Sequence, residues 1–271
     1  MKRYGTAFLS EFLGTAFLVG AGLSIVILMF GSGSPVIKLI PDTGLRRLIT
    51  GFLFGSTGAL IAISVLGKHS GAHINPVVTL AFFLQRKMNI AHSLGYFIAQ
   101  MTGASVGALP LLLWGNIGSS IDYGATIPGQ GFGPLAAVSG EVVTTFGLIF
   151  GLFIFISHKK IRPYTPLLFP FLYAIMVFLE APVSGTSTNP ARSFGPALIS
   201  GVWTDWWVYW LGPVIGTLIA LLVRRYSWLN KIEIEVAKLY HFKHDPKGIF
   251  KKLSPRKTGR ESAAGTEARV Q

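Results

Sequence analysis

The sequence predicts an all-α integral membrane protein with six transmembrane helices and two re-entrant half-helices, built as an inverted repeat. Three observations predict it. The 271-residue chain is 51% hydrophobic and only 13% charged, too apolar for a soluble domain. Six apolar stretches, at about 7–30, 48–67, 91–113, 136–157, 166–182 and 206–224, approach the ~20 residues a bilayer crossing needs. A short motif also occurs twice, Ser70-Gly71-Ala72-His73-Ile74-Asn75-Pro76-Val77 and Ser184-Gly185-Thr186-Ser187-Thr188-Asn189-Pro190-Ala191.

In chain order, Met1-Lys2-Arg3 leads into an apolar run that is long enough to span, so residues 7–30 are expected to be the first helix and no cleavable signal peptide. Each Asn-Pro pair marks the start of a helix. Asn is a strong N-cap, and Pro suits the first helical position, where its missing N–H has no partner to lose. The helices that follow, Pro76–Gln85 and Pro190–Ser200, rise roughly 1.5 Å per residue and reach only about halfway through a bilayer. Non-helical backbone at membrane depth is tolerated where it is buried in protein or lines a watery cavity, so the duplicated pair marks a pore or binding site.

The repeat extends further. Glu11-Phe12-Leu13-Gly14-Thr15-Ala16-Phe17 is echoed from Glu141 to Phe146, and Gln100-x-x-Gly103 by Pro213-x-x-Gly216. Residues 1–113 form the first repeat, 114–135 a connecting outer loop, 136–225 the second repeat and 226–271 a basic cytoplasmic tail. Three crossings per repeat force the halves into opposite orientations. Small residues at Gly103, Ala104 and Gly107, and at Gly212, Gly216 and Ala220, recur at helical spacing and let backbones approach closely.

With both termini cytoplasmic, twenty of the 24 Lys and Arg face inward, leaving Lys38, Arg46, Arg47 and Arg192 outside, which follows the positive-inside rule except in the first outer loop. The net charge of +13 is concentrated in the tail, whose composition predicts a membrane-surface segment and a disordered end rather than a nucleic-acid surface. With no cysteine there is neither a disulfide nor a thiolate site. No His-Glu-x-x-His or Gly-x-Ser-x-Gly is present, so an enzyme is not expected, nor a metal or other cofactor.

The two motifs, with the second continuing Asn189-Pro190-Ala191-Arg192-Ser193-Phe194-Gly195-Pro196-Ala197 and with Glu11 and Glu141 heading the repeats, resemble the major intrinsic protein family, the aquaporins, over about residues 5–225. The resemblance implies that Asn75 and Asn189 meet at the pore centre, with half-helix dipoles raising a positive potential that repels cations and protons. It implies that the carbonyls of Gly71, Ala72, His73, Ile74, Gly185, Thr186, Ser187 and Thr188 line the pore. Glu11 and Glu141, which would cost about 3 kcal/mol each if unpaired in a membrane, are then acceptors supporting the re-entrant loops. Arg192, three after Asn189, matches the family's constriction arginine.

Ungapped counting places the other constriction positions at Gly55, Val177 and Thr186. This departs from strict water channels, which carry an aromatic and a histidine at the first two, and leaves a wider, less polar gap. A one-residue slip would put Phe54 there instead. Ser193, Ala197 and Tyr209-Trp210 match the water branch, and these marks carry slightly more weight. Val77 replaces the usual alanine and is bulkier at the half-helix junction. His69 and His73 are expected near the cytoplasmic mouth in a structural role. The expectation is thus a passive channel for water, with small neutral solutes left open, in the cell membrane as a homotetramer of independent pores. The alternatives are a glycerol, urea, ammonia or metalloid-acid channel, an ion-coupled transporter with Glu11 and Glu141 as its titratable groups, and a membrane junction protein.

Overall fold

A computed structural model describes residues 4–226 and 234–250. Six helices long and apolar enough to cross a membrane are present among them. The main helices are α1 Gly5–Phe30, α2 Thr43–Ile63, the short α3 Pro76–Leu84, α4 Ile90–Ala108, α5 Pro134–Ser157, α6 Thr165–Glu180, the short α7 Pro190–Ser200 and α8 Val208–Tyr226. The chain is a multi-pass membrane protein in which α3 and α7 start inside the bundle and are too short to cross it.

The second span starts and stops earlier than its hydropathy suggests. Asp42 caps α2 by accepting from the Leu45 N–H at 2.5 Å. Arg46, on the first turn, is buried and donates to the Met29 carbonyl at the end of α1, so this outer-loop cation closes a helix end instead of facing solvent. At the other end Ser64 leaves the helix at ψ 177° and caps a separate turn, Val65–Ser70, through the Leu66 N–H. That turn feeds the first motif.

The repeat is visible in how helices cross. A Cβ at Gly103 of α4 would lie 2.4 Å from the Phe12 carbonyl of α1, and one at Gly216 of α8 would lie 2.5 Å from the Val142 carbonyl of α5. Phe12 and Val142 each follow the glutamate that heads a repeat, so the same crossing is made twice. Large side chains such as Leu23, Ile27, Phe82, Ile149, Leu152 and Phe153 fill the interior, while Leu9, Phe17, Ile98, Val143, Phe171 and Leu222 face outward. In a bilayer an apolar exterior is the expected state of a spanning helix.

Residues 234–250 depart from the expected membrane-surface strip. They fold back over the end of the bundle where α1 begins, burying Ile234, Ala237, Leu239 and Phe250. These apolar side chains find cover within the protein, and the Leu239 N–H finds the Gly71 carbonyl at 3.0 Å, a stronger set of partners than a lipid surface offers. The disordered end expected of the tail falls on residues outside those described.

Candidate functional site

The site grows from two helix N-termini. Asn75 and Asn189 sit in extended conformation before Pro76 and Pro190, and each Oδ1 accepts from the backbone N–H two residues on, Val77 and Ala191, at 3.0 Å. With the oxygen turned to its own helix, each carboxamide presents its Nδ2 donor across the junction. Asn75 Nδ2 donates to the Thr188 carbonyl, and Asn189 Nδ2 to the Ile74 carbonyl, both at 2.9 Å. The positive ends of two helix dipoles therefore converge on one point.

The loops leading in have the same backbone. Gly71, Ala72 and Ile74 have φ of 86°, 56° and 43°, and Gly185, Thr186 and Thr188 have φ of 88°, 51° and 51°. These are the positions four, three and one before each asparagine. Non-glycine residues held there are strained by about 1–3 kcal/mol each, and the two glutamates hold them. Glu11 accepts from the His73 N–H at 3.0 Å and the Ile74 N–H at 2.7 Å, while Glu141 accepts from Ser187 at 2.6 Å and Thr188 at 2.7 Å. A serine hydroxyl is the third donor in both repeats, Ser70 to Glu11, and Ser184 to Glu141 at 2.7 Å, and the first repeat adds a fourth, Gln100 Nε2 to Glu11 at 2.7 Å. Pro213, the counterpart of Gln100, has no donor to offer.

Two chambers flank this junction. The outer one, about 290 Å³, is bordered by Thr50, Val177, Thr186 and Arg192 and by Gly124–Thr126 of the connecting loop. The inner one, about 40 Å³, is bordered by His73, Asn75, Asn189, Gly55 and Leu239. Phe54 and Tyr173 border both. Their ring centroids are 5.8 Å apart, the Tyr173 hydroxyl pairs with that of Thr188 at 2.7 Å, and Arg192 Cζ stands 6.0 Å from the Phe54 centroid. Both rings therefore stand where the two chambers approach each other.

The structure thus brings Val177, Thr186 and Arg192 together in the outer chamber and separates Gly55 from them. Gly55 packs on α6, where a Cβ would lie 2.4 Å from the Phe169 carbonyl. Arg192 Nη1 donates to the Gly124 carbonyl at 2.8 Å. Four of the eight candidate carbonyls already hold a protein donor: Gly71 from Leu239, Ile74 from Asn189, Ser187 from the Thr188 hydroxyl and Thr188 from Asn75. A carbonyl oxygen has two lone pairs, so each retains room for a second donor. His69 lies away from the inner chamber, against the His244 ring at 5.7 Å, its Nδ1 paired with Val65 O at 2.9 Å, and Val77 is buried at the α3 start.

Sequence reasoning missed Tyr173, Glu180 and Leu239. Tyr173 lies one helical turn before Val177, so the i, i−4 spacing points to the same face. Glu180 is buried and accepts from the Thr186 hydroxyl at 2.6 Å. As a carboxylate inside an expected span it carried the signal that intramembrane charges are functional. Among the described residues no group of three or more His, Asp or Glu is placed to hold a metal ion.

Residues 2–224 match the family profile described as Major intrinsic protein. The chain belongs to that family. It is 32% identical over 231 residues to a probable aquaporin TIP2-2 of Oryza sativa subsp. japonica, covering 82% of this chain and 87% of that one. Against aquaporin-4 of Mus musculus it is 32% identical, covering 86% of this chain and 71% of the other. The aquaglyceroporin structure from Plasmodium falciparum shares the fold, with a TM-score of 0.60 at 22% identity over 83% of this chain and 96% of that one. Members of the family are channels and not enzymes.

Proposed function

We propose that the protein is a passive water channel that excludes ions and protons, with its tail side cytoplasmic. The observation that carries this is the junction of the two half-helices, where both asparagine amides donate across the meeting point. A solute there meets fixed donors and the positive ends of two dipoles, which suit a neutral acceptor such as water and repel cations. Phe54 and Tyr173 form the waist, Thr186 and Arg192 orient the solute above it, and the loop carbonyls accept its hydrogens. Glu11 and Glu141 are loop supports in this reading. Each accepts at least three donors, which leaves them poorly suited to carrying a coupling ion, so the transporter reading is weaker.

The relatives named aquaporins support water as the solute. A second reading, a channel for glycerol or urea, is favoured by the apolar Val177 on the wall of the roomy outer chamber. We place the protein in the cell membrane as a homotetramer on the family resemblance, and orient it by the Lys/Arg bias. Light scattering from proteoliposomes under sucrose, glycerol and urea gradients tests this. Water efflux should exceed that of protein-free liposomes and outpace both solutes. Solute flow without accelerated water flow would overturn the reading in favour of the second.

A further inference from the structure

The C-terminal segment does more than cover the rim of the bundle. Leu239 borders the same chamber as Asn75 and Asn189. Its backbone N–H occupies the Gly71 carbonyl, the innermost of the candidate acceptors. Two residues earlier, the Ala237 carbonyl lies 3.1 Å from His73 Nε2. A carbonyl only accepts, so Nε2 carries the proton, and Nδ1 accepts from the Thr79 hydroxyl at 3.1 Å. The imidazole N–H nearest the inner mouth is therefore turned to the segment and away from any solute.

The seat is specific. Lys238 is fully buried, with Nζ donating to the Lys68 carbonyl at 2.7 Å and the His244 carbonyl at 2.6 Å, 4.4 Å above the Phe250 ring. Burial pulls its ammonium down to about 8, with the Asp245 carboxylate opposing that shift, so it is still charged at neutral pH and its partners matter. His241 Nε2 pairs with the Ile63 carbonyl at 2.8 Å. The exposed Arg162–Glu235 pair at 2.8 Å adds little in water.

We propose that residues 234–250 are a built-in stopper of the inner mouth, with Leu239 narrowing the lumen and the segment's backbone filling the polar groups of Gly71 and His73 in place of water. This rests on the water-channel reading. Permeation then requires the segment to leave its seat, so the intact chain conducts slowly and a released one quickly.

The chain has no cysteine, so Leu239→Cys alone reports whether the segment is seated, through its rate of labelling by a maleimide added from the tail side. Ala237 is fully buried, and Ala237→Glu places there a carboxylate that cannot be buried without a partner. In proteoliposomes, labelling should be slow in the otherwise intact chain and fast with Ala237→Glu added, and water permeability should rise several-fold with Ala237→Glu relative to the wild type. Fast labelling in the intact chain overturns the proposal. Equal and high permeability with accelerated labelling overturns it while leaving the channel reading standing, whereas absent flow in both overturns both. If Ala237→Glu leaves labelling slow, Leu239→Ala trims the side chain in place, and unchanged permeability there overturns the proposal.

Discussion

Arg192 is pinned by the Gly124 carbonyl on the wall of the outer chamber, so in the proposed channel its charge is fixed beside the solute. At ~4 Å and an effective dielectric constant of ~20, one unit charge raises the energy of a passing cation by about 4 kcal/mol. Arg192→Val should therefore admit cations or protons in planar bilayers while water flow persists, and unchanged conductance would remove the electrostatic role. The waist makes a second prediction. Phe54→Ala widens the gap beside Tyr173 and should increase glycerol and urea flux by more than water flux in one liposome series. Removing a buried ring costs ~3–5 kcal/mol, so Phe54→Leu serves as the milder companion, and equal change for all solutes would mean the ring is no filter. Counting from the motifs reached Thr186 and Arg192, three residues either side of Asn189, and Val177, twelve before it in the last turn of α6. It put Gly55 among them and not Phe54, because ungapped counting carries no information on which way a residue faces. Gly55 faces the Phe169 backbone.

Elements were legible where local chemistry decides them. Proline and asparagine start the half-helices at Pro76 and Pro190 whatever their surroundings. The end of α2 was less so, because hydropathy continues through Val65 and Leu66 while the Ser64 hydroxyl, capping the next turn, stops the helix at Ile63. The glycine crossings were legible as spacing, but which helix each glycine meets depends on the repeat's tertiary arrangement. At Gly216 a Cβ would stand 2.5 Å from the Val142 carbonyl, whereas at Gly147 nothing lies within 4 Å. Gly216→Leu should therefore force α8 from α5 and lower stability in detergent by at least about 1–3 kcal/mol. Gly147→Leu, with open space around the added side chain, should leave thermal unfolding unchanged. Equal unfolding temperatures for both variants would show that the α5–α8 approach is not what Gly216 secures.

At the scale of the molecule, composition and charge placement announced a membrane bundle, but the fold-back of residues 234–250 was not legible. Ile234, Ala237 and Leu239 flank the cationic Lys238 with no helical or strand period, and their partners at Ile63, Lys68, Gly71 and His73 are far away in sequence. The pore, in contrast, is assembled within one chain: both chambers and the asparagine junction draw on α1, α2, α3, α5, α6 and α7 and the loops of a single copy. A homotetramer would then shield apolar faces such as those carrying Leu9, Val143 and Phe171 without sharing a lumen. This predicts additive pores. Thr186→Trp places an indole across the outer chamber beside Arg192 and should block its own copy. When wild-type and Thr186→Trp chains are co-expressed in graded ratios and co-assembled, water permeability per total protein should fall linearly with the blocked fraction. A downward-curving titration, in which one blocked copy silences its neighbours, would show that the conducting path is shared between copies.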